Sequence, residues 1–384
     1  MKKSHLIKIN FLFLIIIALT FCNEEPTSVD NNKSISVDDE FSSKIEIITE
    51  MEIGSQDLPF FMRVAAKDSN ESSILDGKKI RWDFNSDNIF EREWSLSDTM
   101  TYVFPNTGIH IVNVQVNLTQ TSVAECKKII YTGQVIDLLA GDTTYSVHEM
   151  CYNFNESEIY FVWGTVPHDI YKMGNNGGNI QNVTANLEHN SCRHYPISSR
   201  DGKYLAYSHE SALYLLDLFA NEEKIINSPF SYCSNYFTND SEFIVTTTPN
   251  CEGVHLIDIE TGEDSLLIAD AHYVSVVPYK NEIGYLNYAD ENDVAELIIY
   301  DLVNNQVKLR FENIPFKDPF KILEDYRAIY FTNKHILYEL FTGTSYRINV
   351  ENVMIQWPSE IANDGSNVLL ATRKGIKKLI MTQF

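Results

Sequence analysis

The chain has 384 residues, with 53 Asp or Glu against 30 Lys or Arg, and a formal charge of −23. A surface this acidic repels phosphate backbones and anionic headgroups, which argues against nucleic acid as a partner and against membrane attachment through basic patches. Tyr and Phe number 21 each and long amphipathic helical patterns are scarce, so the class read from composition is all-β, with two domains expected from the length.

The chain opens on Lys2, Lys3 and Lys8, followed by the uncharged run "FLFLIIIALTF" from Phe11 to Phe21. That run is short for a bilayer span and suits the core of a secretory leader. Leu19 stands three residues before Cys22. The combination resembles the lipobox of bacterial lipoproteins, although Phe21 stands where that family prefers a small residue. The resemblance implies a leader over residues 1–21, lipid on Cys22, and attachment to a membrane through acyl chains, which places the protein in the cell envelope on the periplasmic or outer surface of the outer membrane. An ordinary signal peptide or a short uncleaved anchor is the alternative. Residues 22–40 are polar and acidic without hydrophobic periodicity, and read as a flexible tether. The acidic "NEEP" after the cysteine also resembles export signals of some surface lipoproteins.

Residues 41–135 contain short alternating runs: "KIEIITE", "FFMRVAA", "KIRWDF", "TMTYVF", "IHIVNVQVNL" and "ECKKIIYT". Six or seven strands in this length predict a small immunoglobulin-like sandwich. Trp82, Asp83 and Phe84, followed by Tyr102, Gly108, Ile111, Asn113 and Gln115 with Val112, Val114 and Val116 on the other face, resemble the PKD domain. In that family the domain is a non-catalytic spacer or interaction module. Asn88 stands where a turn Gly is usual, and Asn tolerates the left-handed region.

Asp83, Asn85, Asp87 and Glu91 place oxygen ligands at alternate positions, as a calcium loop does. An EF-hand, however, needs a bidentate Glu at position 12. Counted from Asp83 that position is Trp94. The count favours a turn in which Asp83 binds backbone N–H groups, with calcium in a shorter loop as the alternative. No other cofactor is implied.

Residues 136–384 are repetitive. Asp217, Asp258, Asp301 and Glu339 close successive apolar strands at spacings of 41, 43 and 38 residues. Weaker copies centre near Lys172 and on "GIKKLIMTQF". A period near 40 with about four strands is a propeller blade, and six copies predict a six-bladed ring, seven being the alternative count. The final copy reaches only a third strand, so residues near Val135 to Leu139 are expected to supply the fourth; closure entirely at the C-terminus is the other possibility. "SSRDGKYLAYS" and "LIDIETGE" resemble the TolB-like propellers, with Arg200 in place of the family's Pro before Asp201 and Gly202. Asp240-Ser241, Asn281-Glu282 and Asp364-Gly365 stand at the same turn in other copies.

Chemistry is harder to read. The chain has no G-x-S-x-G, H-E-x-x-H, P-loop or G-x-G-x-x-G pattern. Cys126, Cys151, Cys192, Cys233 and Cys251 form no zinc spacing, and their odd number leaves at least one without a partner in the chain. The densest group of reactive side chains is "EHNSCRHYP", where His189 and His194 flank Cys192. The acidic runs at 38–40 and 290–293 read as solvated. The function expected is a non-catalytic binding or scaffolding module whose propeller face takes a protein or glycan, with the sandwich as spacer. The alternative is a carbohydrate-active lyase or hydrolase with its site in the channel. A channel lined by Tyr, Asn and Ser favours the first; convergent His, Asp, Glu and Arg favour the second.

Overall fold

The computed structural model describes residues 45–381 except 50, 67–74, 120–121, 141–145, 165, 188–191, 210–211, 227–234, 248–252, 289–293, 349–358 and 373–374. Cys22, the leader, the tether, His189, Cys233, Cys251 and the acidic runs at 38–40 and 290–293 lie outside the described residues. The described chain is all-β; none of it forms a helix long and apolar enough to cross a membrane.

Eight strands build the N-terminal part: β1 (Ile45–Thr49), β2 (Ile53–Ser55), β3 (Phe60–Ala66), β4 (Lys79–Asp83), β5 (Arg92–Ser95), β6 (Thr99–Tyr102), β7 (Gly108–Asn117) and β8 (Val123–Ala140). One sheet has the order β1-β3-β6, and the other runs β8-β7-β4-β5. They enclose a single core. Alternation in β1 and β3 turns Ile45, Ile47, Met62 and Val64 inward, against Trp82, Val112, Val114 and Val116 of the facing sheet. Phe84 stacks between Trp82 and Tyr102, at ring-centroid distances of 5.9 and 3.9 Å. The short strands β2 and β5 escape sequence reading because three or four residues carry too little alternation.

Five four-stranded antiparallel sheets follow: β9–β12 (Ser146–Tyr152, Glu158–Gly164, Asp169–Gly174, Gln181–Asn182), β13–β16 (Arg193–Ser198, Tyr204–His209, Ala212–Asp217, Glu222–Ile226), β17–β20 (Asn235–Phe237, Phe243–Thr247, Val254–Asp258, Asp264–Ile268), β21–β24 (His272–Val276, Glu282–Asn287, Ala295–Asp301, Gln306–Ile314) and β25–β28 (Phe320–Ile322, Ala328–Phe331, Ile336–Glu339, Ser345–Arg347). The sixth blade is β29 (Glu360–Ile361), β30 (Asn367–Thr372) and β31 (Gly375–Ile380), completed by the distal half of β8. Leu379 pairs with Val135 and Ile376 with Leu139, so the segment expected to close the ring does close it.

The apolar runs are nearly continuous because each blade is buried on both faces. In β14, Leu205 and Tyr207 enter the seam with the first blade, while Ala206 enters the seam with the third. Among the described residues, six such clusters join the six blades in cyclic order, the last joining Leu369 and Ile376 to Met150 and Phe161.

The repeated Asp residues are turn caps. Asp217 accepts the N–H groups of Phe219 and Ala220 at 2.9 Å, Asp258 those of Glu260 and Thr261, and Asp301 those of Val303 and Asn304. Four residues on, Asn221, Gly262, Asn305 and Gly343 take the left-handed conformation that brings the chain into the outer strand. These backbone hydrogen bonds hold the Asp217, Asp258 and Asp301 carboxyls below the usual range. The alignment of Asn281-Glu282 with the inner turns is displaced. Tyr279 holds the left-handed conformation there, and Glu282 is already the first residue of β22, buried and bound by Lys308 and Tyr326.

Sandwich and propeller share β8. Beside it, β2 pairs in parallel with Tyr131–Gly133, and Ile53 enters the propeller core with Tyr346, Ile348 and Leu379. The Glu52 carboxylate accepts the Arg347 N–H at 3.0 Å and pairs with Lys128 at 3.2 Å. A side chain on Gly133 would strike the Ile380 carbonyl, so only glycine lets β8 lie this close to β31.

Candidate site: the central channel

The six inner strands β9, β13, β17, β21, β25 and β29 surround a cavity of about 420 Å³. Its walls carry Tyr152, Tyr195, Tyr236, Phe237 and Tyr273, with the amides Asn153, Asn235, Asn239, Asn333 and Asn363. Among the described residues, three charged side chains line it: Glu149, Lys321 and Glu360. They are 172 and 39 residues apart along the chain, a separation no motif records.

Lys321 on the fifth blade pairs with Glu360 on the sixth and donates a second bond to the Ile361 carbonyl at 2.8 Å. Burial raises the Glu360 carboxyl above its ordinary range, and the Lys321 ammonium opposes the shift. The pair therefore neutralises itself inside the cavity. Cys151 and Tyr236 are both pushed upward by burial, and the Tyr236 hydroxyl donates to the Phe320 carbonyl at 3.2 Å. Cys151 is consequently a protonated, unreactive thiol at neutral pH.

Glu149 stands apart from that pair. Its residue is 7% exposed, its Oε1 lies 3.4 Å from His194 Nδ1, and its Oε2 is buried with no hydrogen-bond partner. Behind it, the His148 and His168 rings stack at 4.2 Å, and His194 meets His168 edge-on at 6.4 Å. Burial first, and then the neighbouring imidazoles, lower His148 and His168; the Glu149 carboxylate raises His194. Thus His194 belongs to a cluster, but with His148 and His168 rather than with Cys192, whose carbonyl lies 3.2 Å from His209 Nδ1. Sequence reading scattered these imidazoles because β9, the approach to β11 and β13 are brought together only by blade packing.

At the same rim Ser359 Oγ lies 2.7 Å from His335 Nδ1 and donates to the Thr332 carbonyl at 3.0 Å. Tyr330 also bonds Ser359. Burial pushes His335 down to about 4, which makes it a poor general base at neutral pH. The trio joins the fifth blade to the sixth through hydrogen bonds.

The opposite end carries the inner turns. Phe154 follows the inner strand of the first blade and Tyr279 that of the fourth, opposite it in a ring of six. Their rings nevertheless meet edge-on at 5.1 Å, bridging the channel. Arg200, the residue replacing Pro in its turn, lies 4.6 Å over Phe154. A bulky residue in the left-handed region is uncommon, and Tyr279 at φ 62° reaches the axis from such a backbone.

The Asp83 loop is tied by its own backbone. Asp83 is fully buried and accepts the N–H groups of Asn85 and Asn88 at 3.2 and 2.9 Å; Asn85 accepts that of Asp87, Asp87 that of Ile89, and Glu91 that of Phe84. Asn88 takes φ 66°, the left-handed turn expected of it. Among the described residues, no three of His, Cys, Asp and Glu converge to hold a metal ion.

No family model matches the chain, and no curated protein matches it. Solved structures do. An auxiliary nutrient binding protein from Bacteroides thetaiotaomicron is 10% identical, with a TM-score of 0.48 over 86% of this chain and 96% of that one. Oligogalacturonate lyase from Vibrio parahaemolyticus is 10% identical, with a TM-score of 0.45 over 65% and 94%. TolB from Acinetobacter baumannii is 15% identical, with a TM-score of 0.42 over 72% and 77%. By its own strand order, the chain is an all-β protein in which a sandwich leads into a six-bladed β-propeller.

Proposed function

We propose that the protein is a lipid-anchored binding module of the cell envelope, held by Cys22, in which the propeller takes a protein or glycan and the sandwich sets its distance from the membrane. The lining of the channel carries this reading. Tyrosine faces and asparagine amides dominate it, and the Lys321–Glu360 ion pair is internally satisfied. Aromatic and amide surfaces bind polar ligands without covalent chemistry. The net charge of −23 speaks against nucleic acid.

Two experiments test the two halves of the proposal. Cys22→Ser should abolish palmitate labelling and leave the leader uncleaved; continued labelling would overturn the anchor. A glycan array and a pull-down with the full chain should give saturable, reversible binding without product. New reducing ends or unsaturated sugar products would favour instead a carbohydrate-active enzyme, the reading that the imidazoles beside Glu149 support.

A further inference from the structure

Two tyrosines at the rim of the cavity stand on irregular backbone. In β13 the ladder passes from the pair His194–Ser208 to Ile197–Ala206, and in β21 from His272–Leu286 to Val274–Tyr285, so each inner strand carries one extra residue, beside Tyr195 and at Tyr273. Both tyrosines hold the left-handed conformation, at φ 53° and 36°, and both line the cavity. That conformation is unfavourable for a tyrosine, and a bulge re-aims the side chain it carries. Between them, β17 pairs with β18 in unbroken register through Asn235, Tyr236 and Phe237. The same device thus occurs on the second and fourth blades and sets a tyrosine on either side of the third. The lining is also electrically closed. Glu149 pairs with His194 at 3.4 Å, and Lys321 pairs with Glu360. A charged ligand entering the cavity would lose hydration without gaining a free counter-ion.

We propose that Tyr195 and Tyr273 form an aromatic clamp for an uncharged pyranose, their rings packing on the C–H faces of the sugar while Asn239 and Asn363 bond its hydroxyls. Aromatic walls with a few placed amides suit such a ligand. Asn239 Nδ2 donates to the Val277 carbonyl at 3.1 Å, which fixes that amide with its Oδ1 as an acceptor. Asn363 engages Glu156 and Glu324 through its backbone, which leaves its side-chain amide to the cavity. The Phe154–Tyr279 bridge closes the far end, so the sugar enters end-on at the rim. This rests on the reading of the channel as a ligand site and names the ligand as a neutral glycan.

The test is calorimetry on the full chain in detergent, with cellotriose, maltotriose and mannotriose as neutral probes and a galacturonic acid trisaccharide, a glucosamine trisaccharide and tri-lysine as charged ones. At least one neutral probe should bind, and more tightly than any charged one. Tyr195→Ala and Tyr273→Ala should each weaken that probe by about tenfold, whereas Tyr195→Phe should stay within about threefold, because the ring and not the hydroxyl carries the contact. Tyr195→Gly gives a readout that a merely packed tyrosine would not: glycine relieves the left-handed backbone, so the melting temperature should hold or rise while binding falls by the same factor. A lower melting temperature in Tyr195→Gly would show the ring to be packing and would overturn the clamp. If both alanine variants bind the neutral probe as the parent does, or if a charged probe binds as tightly as the neutral ones, the assignment is overturned while the binding-module reading stands. If no neutral probe binds at millimolar concentration, the assignment is likewise overturned. Turnover of any sugar would overturn the binding module itself.

Discussion

In the sandwich, Phe60, Trp82, Phe84 and Phe104 close one core to 1% exposure or less, whereas in the propeller six seams surround an axis that carries Glu149, Lys321 and Glu360. The difference follows from topology. Two sheets face each other and leave nothing between them but side chains. Six blades meet side by side, and their inner edges cannot all touch, so space remains on the axis for groups that a closed core would reject. The chemistry of the molecule therefore collects where packing is geometrically incomplete.

The comparison can be broken most strongly at its closed end. Trp82→Ala should cost about 3–5 kcal/mol, measured by urea unfolding, because the aromatic stack cannot collapse into the space left. Should the propeller transition move as far as that of the sandwich, the two parts unfold as one unit. At the joint, Ile53→Ala should cost about 2–5 kcal/mol, since its side chain is fully buried in the propeller although it belongs to an N-terminal strand. A change confined to the sandwich would show that the strap does not couple the parts.

On the axis, Lys321→Met should cost about 3 kcal/mol at neutral pH by stranding the Glu360 carboxylate. Because Glu360 already titrates above its unfolded value, its contribution is present in acid and lost as pH rises; the variant should therefore recover part of its stability as pH falls through the raised Glu360 pKa. The smallest effect concerns His335. Its folded pKa of about 4 lies below the unfolded 6.5, so the stability tied to its neutral form is complete above pH 6.5 and falls between 6.5 and 4. The loss is at most about 3 kcal/mol, and His335→Gln should flatten that limb of the stability–pH curve.

Much of the architecture was legible because it repeats. Asp217, Asp258 and Asp301 announce the blade period since each performs the same local task within three residues of itself. The ring closure by Val135–Leu139 was legible from an unfinished last copy. The Asp83 turn was legible from the missing bidentate carboxylate. The axis was not. Glu149, Lys321 and Glu360 come from three different blades, and nothing local distinguishes them from surface charges; only the ring brings them together. Tyr279 was missed for the opposite reason. Its role depends on a backbone conformation that its residue type disfavours, so propensity points away from it.

The shared strand β8 also sets a problem in time. Asp137 and Lys377, which bond each other across the ring closure, stand 240 residues apart. The half of β8 that serves the sandwich finds β7 at once, through a hairpin. The other half must wait until five blades have been made, presenting an open strand edge throughout. Contacts this distant in sequence close slowly. The sandwich is thus expected to fold first and to hold the waiting edge in place, acting as the scaffold on which the ring is later sealed.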